Sequence, residues 1–186
     1  MPPDAANPTA ITADLDLDGL DDDVRTYFAP GEGRWRIRVE WAGGGTTDQV
    51  IDDSIGAAPA RPIGPYDVDG DGTPELFAIV GSGAATLLVG LYDVAECELT
   101  RVTLDGEEAS FPVGATVQHV SGLSCGPVGD LDRLFADRVA DDTFEGGVEP
   151  FTLSGSELTA GFGDGATFTR EEAGSLAVLD CGDLRM

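Results

Sequence analysis

Apolar and polar residues alternate with a period of two in short segments along the chain. The clearest segment is 35–41, where Trp35, Ile37, Val39 and Trp41 fall on one face, with arginine and glutamate on the other. This alternation is typical of a strand with one buried face. Further strands are predicted at 24–28, 76–80, 86–94 and 97–104. No long amphipathic helix is apparent, so the pattern predicts an all-β protein with short antiparallel strands and glycine-rich turns.

The strand pattern recurs along the chain as an internal repeat. Two aspartate-rich loops begin at Asp14 and Asp67, 53 residues apart (67 - 14), and each runs directly into an apolar segment. Leu134-Phe-Ala136 echoes Leu76-Phe-Ala78, and segment 153–159 echoes segment 94–100, which indicates a third, degenerate copy. Its loop, Gly129-Asp130-Leu-Asp132-Arg-Leu, has lost the middle of the acidic motif. Segment 130–142 could form a short helix, but the repeat alignment favours a strand. Repeats of about this length suggest propeller blades or a related array.

The repeat defines the expected domain organisation. Residues 1–11 contain three prolines and are predicted to form an extended tail. Residues 12–186 are predicted to form a single β-repeat domain. Its repeats are expected at about 12–60, 61–118 and 119–186.

The charge of the chain excludes several kinds of partner. The 186 residues include 41% hydrophobic residues, enough for a core, and the formal net charge is -25. Such a surface repels nucleic acid and anionic lipid. No apolar run is long enough to span a membrane. Arg34, Arg36 and Arg38 form a basic stripe, which we expect to face acidic neighbours across the sheet rather than a phosphate.

The two aspartate-rich loops carry the clearest chemical signal. Each has carboxylates at loop positions one, three, five and nine and a glycine at position six. The carboxylates are Asp14, Asp16, Asp18 and Asp22 in the first loop, and Asp67, Asp69, Asp71 and Glu75 in the second. At an effective dielectric near 20, each close pair of these charges costs roughly a few kcal/mol. Ca²⁺ prefers several oxygen ligands and would remove that cost, so we predict two calcium sites.

The residue at loop position twelve distinguishes this motif from an EF-hand. An EF-hand requires a bidentate glutamate there, followed by a helix. Position twelve is Arg25 in the first loop and Ala78 in the second. The acid at position nine, followed by an apolar strand, instead fits a calcium loop within a β-hairpin.

The loops resemble those of FG-GAP repeats, also called VCBS-type repeats, which form calcium-loop blades in integrin α-chain propellers and many bacterial surface proteins. The segment Asp67-Val-Asp-Gly-Asp-Gly-Thr-Pro-Glu-Leu76 matches the motif almost letter for letter, and the first loop has Leu17 in place of a common glycine. The resemblance implies that the carboxylates at positions one, three, five and nine bind the ion. It also implies a ligand role for the backbone carbonyls of Leu20 and Thr73.

The same resemblance shapes the expected fold and role. The family usually builds seven blades, and three cannot close a ring. An incomplete propeller-like stack, a compact sandwich or barrel, and ring closure by oligomers therefore all stay open. The family implies an extracellular or cell-surface protein that recognises a protein or glycan. The start Met-Pro-Pro-Asp lacks the features of a secretory signal, so either the protein is intracellular or a leader is absent from this chain. We expect calcium mainly to stabilise the fold, and the protein to be a non-catalytic binding or scaffold module.

The chain contains three cysteines, which suggests one disulfide and one spare thiol in an exported protein. We predict a disulfide between Cys97 and Cys125, with three buried reduced thiols as the alternative. The only histidine is His119 and no Cys-x-x-Cys pair occurs, so a zinc site is not expected.

One pattern points to an alternative function. Gly122-Leu-Ser124-Cys-Gly126 matches the Gly-x-Ser-x-Gly pattern of hydrolases. That motif requires a strand, a sharp turn and a helix, with histidine last in the chain order, whereas His119 precedes the serine. We interpret the match as a coincidence. The competing hypothesis is a hydrolase that uses Ser124 or a Ca²⁺-assisted carboxylate site.

Overall fold

A computed structural model describes residues 5–52, 59–126 and 130–186. Three successive antiparallel meanders organise these residues, which confirms the all-β prediction. The first meander has the order β1-β2-β3-β4. Its strands are β1 (Ala6–Ala13), β2 (Asp22–Ala29), β3 (Arg34–Glu40) and β4 (Thr46–Ile51).

The second meander repeats this arrangement, with the order β5-β6-β7-β8. Its strands are β5 (Arg61–Tyr66), β6 (Glu75–Ser82), β7 (Thr86–Ala95) and β8 (Glu98–Arg101). Three short strands follow it, namely β9 (Thr103–Leu104), β10 (Glu107–Glu108) and β11 (Ser110–Ala115). Because β11 pairs with both β7 and β12, the second and third meanders share one hydrogen-bonded sheet.

The third meander has the order β12-β13-β14-β15 and carries the C-terminal elements. Its strands are β12 (His119–Cys125), β13 (Leu131–Ala140), β14 (Thr143–Ser154) and β15 (Glu157–Ala160). The C-terminal elements are β16 (Asp164–Thr169), helix α1 (Arg170–Gly174), β17 (Leu179–Cys181) and β18 (Leu184–Arg185). No sheet of the described residues closes into a barrel, and the fold is consistent with an incomplete propeller.

Strand β6 lies at the centre of the packing, because it is buried along its whole length. One face presents Leu76 to a core shared with Val24 and Ile37 of the first meander. The opposite face presents Phe77 to a core shared with Phe151 of the third meander. Full burial of one such side chain contributes roughly 1.5–3 kcal/mol to the stability of the fold. Because the two faces of β6 contribute to different cores, the middle meander packs against both of the others.

The third repeat has the form that the sequence predicted. Segment 130–142 contains a strand, β13, and no helix. The echo between 94–100 and 153–159 corresponds to matched hairpins: Val94 pairs with Leu99 across the β7–β8 turn, and Leu153 pairs with Leu158 across the β14–β15 turn.

The prediction of an extended tail at 1–11 is wrong from Ala6 onward. Strand β1 pairs with β2, and Ile11 packs against the core. A register shift after Ala6, with Asn7 at φ 50°, accommodates the proline that follows. Proline is tolerated because β1 is an edge strand of its meander. Residues 1–4 lie outside the described residues.

The predicted disulfide between Cys97 and Cys125 is also wrong. Cys125 bonds to Cys181, with a Cα–Cα distance of 4.6 Å, and Cys97 is free. Strand β17 runs parallel to β12 with Leu123 opposite Leu179, so the next side chains on that face are the two bonded cysteines. Cys97 instead lies at the tip of the β7–β8 hairpin.

Candidate metal centres

The two acidic loops occupy equivalent places in the fold. The first joins β1 to β2 and the second joins β5 to β6, so each connects the first two strands of its meander. Asp14 and Asp67 directly follow β1 and β5, whereas Asp22 and Glu75 begin β2 and β6. Each loop therefore starts and ends on a hydrogen-bonded strand pair, which fixes where its carboxylates lie.

Each loop brings three of its predicted ligands together. Within the part of the chain that the structure describes, two groups of acidic side chains could hold a metal, and they fall in these two loops. The groups are Asp14, Asp16 and Asp18, and Asp67, Asp69 and Asp71. One carboxylate oxygen from each member of a group lies within 4.8 Å of the others. Ca²⁺ binds oxygens at about 2.3–2.6 Å, so two of its ligands can be at most about 5 Å apart. The spacing of the oxygens within each group is therefore compatible with one Ca²⁺ ion per group.

Backbone amides hold the acidic side chains of the first loop in place. The amide of Gly19 donates to Asp14 Oδ2 at 3.0 Å, and that of Asp18 donates to Asp16 Oδ1 at 3.2 Å. The amide of Leu20 donates to Asp18 Oδ1 at 2.8 Å. Each aspartate uses one oxygen in this way, which turns the loop around its three carboxylates.

The second loop repeats these three contacts at the same positions. The amide of Gly72 donates to Asp67 Oδ2 at 3.1 Å, and that of Asp71 donates to Asp69 Oδ1 at 3.0 Å. The amide of Thr73 donates to Asp71 Oδ1 at 2.7 Å. Two segments of different sequence thus adopt one hydrogen-bonded conformation.

Backbone dihedral angles show the same equivalence. Positions four and six have positive φ in both loops: Leu17 at 61° and Gly19 at 85° in the first, Gly70 at 75° and Gly72 at 96° in the second. Glycine adopts this region freely, whereas a leucine there costs roughly 1–2 kcal/mol. The first loop therefore keeps the conformation at position four despite this cost.

The acids at position nine lie beneath the loops rather than within the groups of three. Asp22 is fully buried, and its two oxygens accept the amides of Leu15 and Ala42, each at 2.9 Å. Glu75 is also buried, and its Oε2 accepts the amide of Val68 at 2.7 Å. Both acids thus tie loop position two to the start of the next strand. Their role as ligands stays a prediction, as do the carbonyl roles of Leu20 and Thr73.

Burial gives Glu75 an unusual affinity for a proton. Desolvation raises the pKa of its carboxyl to about 8, and the charges of Asp69 and Asp67 act in the same direction. The amide of Val68 opposes this shift. A divalent cation among the neighbouring aspartates would oppose the repulsion that they cause.

A buried oxygen in the first loop is a candidate ligand for a cation. Asp14 Oδ1 is buried and has no hydrogen-bond partner among the described residues. A buried carboxylate oxygen normally has a partner, because leaving one without a partner costs about 1–3 kcal/mol or more. The donor set consists only of oxygen, which matches a hard ion such as Ca²⁺.

A cleft of about 530 Å³ separates the two loops. It is lined by Asp16 of the first loop, by Asp71 of the second and by the β7–β8 turn that carries Cys97. The Cys97 thiol donates a hydrogen bond to Asp16 Oδ2 at 3.5 Å. Desolvation raises the pKa of the thiol, and the hydrogen bond to Asp16 and the charge of Asp16 act in the same direction. Asp93 and Glu96 also line the cleft. These two acids were not identified from the sequence, because they lie outside the acidic-loop motif.

In the third repeat, Asp132 corresponds to an aspartate of the acidic loops. Asp132 falls within β13, paired with Ser124, so it does not belong to a loop. Burial, followed by the charge of Asp130, raises the pKa of the Asp132 carboxyl. Gly129, the first residue of the degenerate motif, lies outside the described residues.

The structure does not assemble the hydrolase site suggested by the sequence. Ser124 lies inside the extended strand β12 rather than at a turn before a helix. His119 is five residues away on the same strand, and successive residues of a strand point to opposite faces. Ser124 and His119 therefore do not share a face.

The basic stripe has acidic partners, as the sequence predicted. Arg34 pairs with Asp52 at 2.9 Å. Arg36 Nε pairs with Asp48 at 2.6 Å, and Arg38 Nη1 reaches the same carboxylate at 3.4 Å. These cations neutralise strand neighbours and are not gathered for a phosphate.

Comparison with protein-family models, with curated proteins and with solved structures finds no match for this chain. Over residues 5–52, 59–126 and 130–186, no helix has the length and apolar character needed to cross a membrane.

Proposed function

We propose that this protein is a calcium-binding β-repeat module that holds one Ca²⁺ in each acidic loop. The observation that carries the proposal is the shared geometry of the loops, which place three carboxylates around one point with matched amide contacts. The buried Asp14 Oδ1 supports it, because a cation would supply the partner that this oxygen lacks. The resemblance to FG-GAP repeats supports the choice of Ca²⁺.

The position of the loops favours a structural role for the ion. Each loop closes the first hairpin of its meander, and its position-nine acid begins the next strand. Without a cation, the three aspartates of each loop repel one another next to the core. Binding of Ca²⁺ to the folded state alone would stabilise the fold.

The disulfide and the family resemblance indicate where the protein is located. A disulfide persists in oxidising surroundings, so the Cys125–Cys181 bond favours an exported protein. We propose an extracellular or cell-surface location, a non-catalytic binding or scaffold role, and an extracellular protein or glycan as the partner. The FG-GAP resemblance supports this role.

Calorimetric titration tests the proposal. We expect two Ca²⁺ ions per chain in the wild type, and one ion in Asp16→Ala and in Asp69→Ala, because each substitution removes the middle ligand of one loop. Asp183→Ala, an exposed acid outside both loops, is the matched control and keeps two ions. Unchanged stoichiometry in both loop variants would refute the assignment.

A further inference from the structure

A small cavity lies on the third meander, at the opposite end of β12 from the disulfide. Its volume is about 210 Å³. It is lined by Pro112, His119, Ser121, Arg133, Phe135 and Asp137. The cavity contains no residue of the acidic loops, so it is independent of the proposed calcium sites.

Strand register explains why these residues meet. His119 and Ser121 are two residues apart on β12 and share a face. The neighbouring strand β13 places Asp137 opposite His119 and Phe135 opposite Ser121. The sequence pattern gave no sign of the cluster, because its members come from three separate strands.

Two buried polar groups in the cavity wall have no partner. Ser121 is 1% exposed, and its hydroxyl makes no hydrogen bond with any described residue. Arg133 Nε is buried and likewise makes none. Buried polar groups are normally paired, so two potential donors at one cavity call for an acceptor.

The neighbouring contacts hold the two basic side chains in position. Arg133 Nη2 pairs with Glu149 at 2.9 Å, and the guanidinium lies 5.4 Å from the centre of the Phe135 ring. His119 Nδ1 lies 2.7 Å from Asp137 Oδ1. Arg133 and His119 are thus fixed at the cavity, whereas Arg133 Nε makes no hydrogen bond with any described residue.

We propose that this cavity binds a small organic carboxylate, which accepts hydrogen bonds from Ser121 and from Arg133 Nε while its apolar part lies against Phe135 and Pro112. Each carboxylate oxygen takes one of the two donors. A dianion such as phosphate suits the cavity less well, because it would face the carboxylates of Asp137 and Glu149. At about 30 Å³ for each water in the liquid, the volume equals that of about seven waters, which limits the ligand to a small acid.

The chain has a single histidine, so the Cε1–H signal of His119 reports on the cavity without ambiguity. We expect sodium benzoate and sodium acetate, titrated into the calcium-loaded protein, to shift this NMR signal to saturation. Benzoate should bind more tightly because of Phe135. Inorganic phosphate should not compete.

Paired variants distinguish the site from a general salt effect. Ser121→Ala and Arg133→Gln should each weaken benzoate binding at least tenfold. Ser124→Ala, on the opposite face of β12, and Arg185→Gln, whose side chain is 75% exposed, should leave it unchanged. Removal of an unpaired buried hydroxyl should not impair folding, so Ser121→Ala stays informative if Arg133→Gln unfolds.

Three outcomes would overturn the proposal. The first is the absence of a saturable shift up to about 50 mM benzoate, a concentration well above millimolar dissociation constants. In that case, water alone would satisfy the two donors. The second is equal binding in wild type and Ser121→Ala. The third is displacement of benzoate by phosphate, which would exclude selectivity for carboxylates.

Discussion

We expect chelation of calcium to lower the melting temperature of this protein by about 10–20 °C. At a free concentration of 100 times its dissociation constant, one bound ion contributes about 2.7 kcal/mol, so two contribute about 5 kcal/mol. For a chain of this size, each kcal/mol shifts the melting temperature by about 2–4 °C. The measurement compares the melting temperature in millimolar Ca²⁺ with that in excess chelator, and unfolding is monitored by circular dichroism.

The double variant Asp16→Ala with Asp69→Ala should remove this dependence of the melting temperature on calcium. It should melt at the same temperature with and without Ca²⁺, and in chelator no lower than the wild type, because each substitution also relieves repulsion among the three aspartates of its loop. The control is Asp164→Ala with Asp183→Ala, two exposed acids outside the loops, which keeps the full calcium effect. Identical wild-type melting in chelator and in Ca²⁺ would contradict a stabilising role for the ion.

Loss of the Cys125–Cys181 disulfide should cost about 4 kcal/mol of stability. The bond closes a loop of 56 residues, and cross-linking a loop of that length stabilises by about this amount in the chain-entropy treatment. Urea unfolding of Cys125→Ala with Cys181→Ala, in saturating Ca²⁺, measures the change. Cys181 is also fully buried in the core, so truncation adds to the loss.

Cys97→Ala is the matched control, because Cys97 is free in the structure. Its substitution should change stability little, and alkylation of the native protein followed by mass spectrometry should modify Cys97 alone. Three modified cysteines, or a larger loss of stability in Cys97→Ala than in the double variant, would contradict the observed pairing.

The disulfide occupies the place in the third meander that the acidic loops occupy in the other two. Ala13 and Tyr66 end β1 and β5, and an acidic loop follows each. Cys125 ends β12, the corresponding strand, and is bonded to Cys181. We infer that a covalent link stabilises the strand end of the third repeat, where the first two have clustered carboxylates.

Structural features that depend on contiguous residues were predictable from the sequence. Period-two alternation identified β3, and motif spacing identified both acidic loops. The repeat alignment identified the β14–β15 hairpin, because its strands are joined by a short turn. Each of these signals depends on residues close together in the chain.

Features that depend on distant pairing were not predictable in this way. The correct disulfide requires the parallel pairing of β17 with β12, which the spacing of cysteines does not reveal. Strand β1 lacks strong apolar alternation, and its pairing with β2 decides its structure. Ser121 acquires its environment from β13, so its position beside Arg133 follows only from the register of the sheet.

Calcium anomalous scattering from crystals grown in Ca²⁺ tests directly whether each acidic loop holds one calcium ion. We expect one anomalous peak among Asp14, Asp16 and Asp18, and a second among Asp67, Asp69 and Asp71. Chelator-treated crystals should lose both peaks. Well-ordered loops with no anomalous peak in either, at saturating Ca²⁺, would show that the acidic loops do not bind calcium.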